Sequence, residues 1–156
     1  MLKKVFYALI LMLAIFIVGY SVNYNMGNLG YISLAGAFIM LFSRYFAPSY
    51  AMLIAAIPCV ICDFLLGAKQ YVLYTFILRA AEGYFLSHFL SKKKNFAATT
   101  FLVSLIMTLL AVCVDIYLYG ITVLSVSLIK NIVQMLLVFV FANVSNYFLD
   151  KIRKKV

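Results

Sequence analysis

The sequence predicts an all-α integral membrane protein with six transmembrane helices and both termini in the cytoplasm. Three observations predict it. Hydrophobic residues make up 67% of the 156 residues and charged residues 11%, whereas a soluble domain is roughly 45–50% apolar and about 25% charged. The apolar residues gather into six runs, which at this length form one membrane domain over 1–156. The basic residues cluster between those runs, on alternate sides of the expected membrane.

The runs can be taken in order. The first spans 4–21 and follows Lys3 and Lys4. It is longer than the apolar core of a signal peptide, and no small-x-small site ends it, so it reads as an uncleaved span. The second, 30–45, is small-rich, with Ala35, Gly36 and Ala37. A straight crossing needs about 20 residues, so its apolar centre has to be extended into Gly30 and Tyr45. The third run, 49–66, follows Pro48; the fourth is 71–91, the fifth 96–118 and the sixth 122–150.

Six crossings place Lys3, Lys4, Arg44, Lys92, Lys93, Lys94, Lys151, Arg153, Lys154 and Lys155 on one side, and leave only Lys69 in the opposite loops. Short cytoplasmic loops carry the excess of Lys and Arg, which orients the chain. The net charge of +9 is distributed in these short clusters, a pattern that argues for lipid and against nucleic acid.

The charges inside the runs are the most informative residues. A charge at the centre of a bilayer costs about 2.5–3.5 kcal/mol on insertion scales, so such groups usually face a cavity or a partner. Asp63 lies near the outer end of span three. Arg79 lies about two turns into span four, with Glu82 a turn deeper. Asp115 lies near the outer end of span five. Lys130, Asn131 and Gln134 lie about two to three turns into span six. All seven fall in the outer half of the bilayer, and their charges come close to mutual compensation. Each also has a plain structural reading. Arg79 and Glu82, three residues apart, can neutralise each other. Lys130 can pair with Asp115 or Glu82. Asp63 and Asp115 can reach interfacial water, and Asn131 and Gln134 can bond between helices.

The outer segment from Ser21 to Gly30 is rich in Asn and Gly. These residues permit tight turns, and a loop beside a polar pocket can act as a lid. Tyr24, Tyr31, Tyr71 and Tyr74 share that outer side and can stack on a flat ring. The other Phe and Tyr residues suit lipid-facing and interfacial positions. His88 reads as interfacial. Cys59 and Cys62 read as packing residues, because redox and zinc motifs need partners that this chain lacks. Asn143-Val-Ser145 matches a glycosylation sequon but lies inside span six.

In their order and spacing these residues resemble a known family. Asn28, Leu29 and Gly30 lead into a small-rich helix. Pro48 precedes a helix ending at Asp63, Leu66 and Gly67. Then come Tyr71, Thr75 with Arg79, Glu82 with Gly83, and Lys130, Asn131 and Gln134. The pattern is similar to that of S components, the substrate-binding subunits of energy-coupling factor (ECF) vitamin transporters. It is nearest to the pantothenate, hydroxymethylpyrimidine and vitamin B6 subgroup. Two positions depart from it: Tyr31 stands where the family pattern has an acid, and Ala68 stands where it has Tyr. The Ala-x-x-x-Ala stripe of helix one is also absent, since Met12 follows Ala8 and Val18 follows Ala14. Helix three carries a small stripe at Ala47, Ala51 and Ala55, which suits close helix packing.

The resemblance implies a multi-pass protein of the bacterial plasma membrane. Such a protein captures a vitamin or precursor from outside and passes it to a coupling subunit and two cytoplasmic ATPases. A B6 vitamer or hydroxymethylpyrimidine is the favoured substrate, with pantothenate next. The expected binding residues are Arg79, Glu82, Asn131, Gln134, Asp63, Lys130, Asn28 and Tyr74. No metal, cofactor or catalytic residue is expected, and the chain has no phosphate-binding Gly-x-x-x-x-Gly-Lys motif. The alternatives are an autonomous small transporter or channel subunit, for which no inverted repeat is evident, and a membrane enzyme or assembly factor, for which no nucleophile–base pair is evident.

Overall fold

A computed structural model describes residues 2–92 and 95–153. Six α-helices carry the chain: α1 (Leu2–Ser21), α2 (Ala35–Phe42), α3 (Pro48–Leu65), α4 (Val72–Ser91), α5 (Phe96–Tyr119) and α6 (Leu124–Arg153). Among the described residues three segments are long and apolar enough to cross a membrane, namely Pro48–Leu65, Phe96–Tyr119 and Ile121–Ile152, and Val5–Ser21 is a shorter apolar helix. Lys93, Lys94, Lys154 and Lys155, four of the basic residues that orient the chain, lie outside the described residues.

The core is apolar with a set of polar groups inside it, and the surface is unlike that of a soluble protein. Large apolar side chains such as Leu13, Phe76, Ile106 and Phe141 are exposed, while Glu82, Ser87, Thr100, Asp115 and Ser127 are buried. In water that distribution would cost free energy at every exposed aliphatic group. In lipid it is the stable arrangement, because the hydrocarbon takes the apolar faces.

The second expected span is where the structure differs most from the sequence reading. Only eight residues of it are α-helical, about 12 Å of rise. The residues ahead of α2 form an antiparallel hairpin instead, β1 (Asn23–Asn25) on β2 (Tyr31–Ser33), with Asn23 opposite Ser33 and Asn25 opposite Tyr31. A 3-10 turn, Gly27–Leu29, joins the two strands. Gly30 closes it at φ +80°, where an L side chain is strained, and the Met26 amide donates to the Gly30 carbonyl at 2.7 Å. The fold is thus helical with one small β element that the all-α reading lacked. Helix α2 is almost wholly buried, with Ala35, Gly36, Ala37, Ile39, Met40 and Leu41 inside.

Helices α3 and α4 make the closest crossing. Gly83 lies against Ala51 and Ala55, and a Cβ at Gly83 would stand 2.4 Å from the Ala51 carbonyl oxygen. The small stripe of α3 therefore serves packing inside the molecule. Pro48 opens α3 at its first turn, where the missing N–H costs nothing. Asn95 caps α5 by accepting from the Ala98 amide at 3.3 Å. Ser87 Oγ donates to the Phe46 carbonyl at 2.6 Å, fixing α4 to the connection between α2 and α3.

Candidate substrate-binding site

A cavity of about 150 Å³ opens between the hairpin and helices α2 to α6, with Asp63, Arg79, Glu82, Asp115, Lys130 and Asn131 in its wall. Two ion pairs organise it. On α4, Arg79 Nη1 lies 2.5 Å from Glu82 Oε2. One helical turn separates the two residues, so their side chains leave the same face. Gly36 makes room for the guanidinium: a Cβ there would stand 3.3 Å from Arg79 Nη1 and 3.2 Å from Val138 Cγ1. The small residues of α2 thus allow a cation to lie across a buried helix.

The second pair joins two helices. Lys130 Nζ on α6 lies 2.9 Å from Asp115 Oδ2 on α5, and Asp115 is the hub of the polar interior. Its Oδ2 also accepts from Ser127 Oγ at 2.6 Å and Asn131 Nδ2 at 3.1 Å. Its Oδ1 accepts from the Tyr71 hydroxyl at 2.8 Å. Four donors around one carboxylate offset the cost of burying it. Lys130 also donates to the Leu29 carbonyl at 2.7 Å, which ties the hairpin turn to α6. Its Nζ lies 5.7 Å from the centroid of the Tyr71 ring, within cation–π range.

Asp63, near the C-terminal end of α3, accepts from the Tyr31 hydroxyl at 2.7 Å through Oδ1. Tyr31 thus supplies a donor to Asp63 from the position where the resembling pattern has an acid. Tyr74 and Gln134 also line the cavity, and Tyr74 makes an edge contact with Tyr117 at 6.2 Å between centroids. Seven of the eight expected residues therefore meet around one cavity. The eighth, Asn28, lies in the Gly27–Leu29 turn above it, and its side chain is outside the described residues.

Some of the cavity wall was not among the expected residues. Asp115 read as an interfacial acid, yet it is 1% exposed and central. Tyr31, Ser104, Met107 and Thr108 also line the cavity. A signal for α5 was available: Ser104, Thr108, Ala111 and Asp115 recur at helical spacing, so their small or polar side chains share one face. The Tyr31–Asp63 contact joins a strand to a helix, and no local pattern encodes it. His88 lies away from the cavity, stacked on Tyr84 and 3.0 Å from Lys92 Nζ. Among the described residues no cluster of His, Cys, Asp and Glu is suited to a metal ion.

A charged cavity inside a bundle of apolar helices, with a hairpin against it, is suited to holding a small polar solute. Residues 1–151 match the family described as ECF-type riboflavin transporter, S component, and the chain belongs to that family. It is a substrate-binding subunit of a vitamin transporter, a membrane transport component and not an enzyme. No curated protein and no solved structure matches the chain.

Proposed function

We propose that this S component spans the plasma membrane of a bacterium six times, with both termini cytoplasmic. In this reading it captures a single-ring vitamin or precursor from outside for uptake driven by a coupling subunit and two ATPases. A B6 vitamer or hydroxymethylpyrimidine is the favoured ligand, with pantothenate next. The size of the cavity carries this reading. A volume of about 150 Å³ is the size at which an engineered apolar cavity holds benzene, and it falls below the roughly 300–1,000 Å³ of drug-sized sites. The wall adds polar groups suited to ring substituents: Arg79 and Lys130 as donors, Glu82 as acceptor, Asn131 and Gln134 as either, and Tyr71 and Tyr74 as stacking faces.

The reading extends to mechanism. The hairpin forms the outer cover, held by Lys130 at the Leu29 carbonyl. Releasing that bond opens the site, and reclosure removes the ligand from water. The second crossing is made by β2, the short α2 and the Ser43–Tyr45 turn together, since α2 alone rises only about 12 Å. The ATP-driven step belongs to the partner chains.

Riboflavin is the second reading, favoured by the description of the matched family. Its three fused rings and ribityl chain occupy more space than a single ring, so this reading requires the cavity to widen or the hairpin to lift. Native mass spectrometry of the purified chain tests the choice directly. A retained mass equal to a pyridine or pyrimidine vitamer supports the first reading, and a flavin mass replaces it with the second. Accumulation of substrate against its gradient by the chain alone in liposomes would overturn the S-component mechanism.

A further inference from the structure

The charges in the cavity wall do not balance. Its acids are Asp63, Glu82 and Asp115, and its cations are Arg79 and Lys130. Glu82 takes Arg79 and Asp115 takes Lys130. Asp63 is left without an ion pair among the described residues, although it is only 4% exposed. Its Oδ1 accepts from Tyr31. Its Oδ2 is buried and closes no hydrogen bond of standard geometry, the Thr75 hydroxyl being the donor beside it. A buried carboxylate oxygen that closes no hydrogen bond carries its full desolvation cost. Glu82 and Asp115 each have a cation beside them and Asp63 has none, so the wall has a place for one more positive group than the described residues supply.

We infer that the ligand supplies it, and that the ligand is a single-ring heteroaromatic amine whose amino group or protonated ring nitrogen is recognised by Asp63. This inference rests on the S-component reading of the cavity and narrows its substrate. A cationic edge neutralises the odd negative charge and satisfies Oδ2 in one contact, and a neutral amino group satisfies Oδ2 by donation. A carboxylate ligand such as pantothenate would place a second negative charge in a wall that already has one acid in excess. The rings of Tyr71 and Tyr74 in the same wall suit a cationic ring by cation–π attraction.

The test uses the purified full-length chain in nanodiscs and two ligand pairs, each differing at one substituent. One pair is pyridoxamine and pyridoxine, in which an aminomethyl group replaces a hydroxymethyl group. The other is hydroxymethylpyrimidine with its ring amino group and the analogue bearing a hydroxyl there. Calorimetry is expected to show, in at least one pair, the amine binding about tenfold or more tightly than its partner, the size of one charge-assisted hydrogen bond. Asp63→Asn is expected to abolish that preference, with the amine losing about tenfold or more of its affinity. Thermal unfolding of the ligand-free variant should stay level or rise, because an unpaired buried charge has been removed; a purely structural Asp63 would instead lower it. Equal binding within both pairs overturns the inference, as does a preference that survives Asp63→Asn or a folded protein that binds neither amine. If Asp63→Asn does not fold, the wild-type ligand pairs decide alone. Tight binding of pantothenate or riboflavin instead overturns this inference and leaves the S-component reading standing, whereas uphill uptake by the chain alone overturns that reading whatever the ligand.

Discussion

Lys130 Nζ on α6 lies 2.9 Å from Asp115 Oδ2 on α5, with both side chains buried. The pair closes α5 on α6 and, through the Leu29 carbonyl, holds the hairpin over the cavity. Removing one member leaves the other charged and unpaired. Asp115→Ala is expected to destabilise the fold by about 3–5 kcal/mol. The double variant Asp115→Ala/Lys130→Met should recover much of that loss. Thermal unfolding in detergent measures both, and a single variant as stable as the parent would show that the pair does not hold the helices.

Arg79→Ala should weaken ligand binding about ten- to a hundredfold, the value of a charge-assisted hydrogen bond. Lys69→Ala should not, since Lys69 is exposed in the 3-10 turn before α4, where a charge contributes little. Arg79 also pairs with Glu82, so Arg79→Ala/Glu82→Gln is measured beside it with thermal stability followed in both. Unchanged affinity in a well-folded Arg79→Ala protein would reduce Arg79 to the structural partner of Glu82.

Gly83→Leu should disrupt the crossing of α3 and α4. Even the first carbon of a side chain there would stand 2.4 Å from the Ala51 carbonyl oxygen and 2.9 Å from Ala55 Cβ. Both neighbours are fixed, so the helices have to separate, at about 1–3 kcal/mol or more. Arg79 and Glu82 sit on the same helix, so ligand affinity should fall together with the melting temperature. A variant with normal stability would place the crossing elsewhere.

Gly30→Ala should act on the cover. Gly30 holds φ +80° and ψ −139°, a conformation that costs a non-glycine residue about 1–3 kcal/mol. The nearest atom to a Cβ there is on the Tyr71 ring at 3.5 Å, an ordinary contact, so strain is the main effect. Faster ligand dissociation is expected in stopped-flow or surface-binding measurements, with little change in global unfolding. Unchanged dissociation would argue that the hairpin does not gate release.

Cysteines placed at Lys3 and Lys154, in a background with Cys59, Cys62 and Cys113 replaced, should resist a membrane-impermeant thiol reagent added to intact cells. The expectation follows from the one-sided distribution of basic residues. Efficient labelling from outside at either position would reverse the topology.

The sequence by itself determined the membrane class and the polar residues that needed explaining. Those features are local: the transfer of about 20 apolar residues into lipid depends on composition, and a charge within such a run is conspicuous wherever the helix turns. Arg79 and Glu82 could be matched from spacing alone, because one helical turn joins them. The tertiary structure decided how the remaining groups pair. Helices that are apolar on nearly every side give little indication of which face turns inward, so the sequence could not choose Asp115 over Glu82 as the partner of Lys130, or bring Tyr31 onto Asp63. It also could not show that the second apolar run divides into a hairpin and a short helix. That division depends on the room left by Gly36 for Arg79 and Val138, and on a turn held from α6 by Lys130. Such contacts join residues far apart in the chain, and only the packed helices bring them within reach.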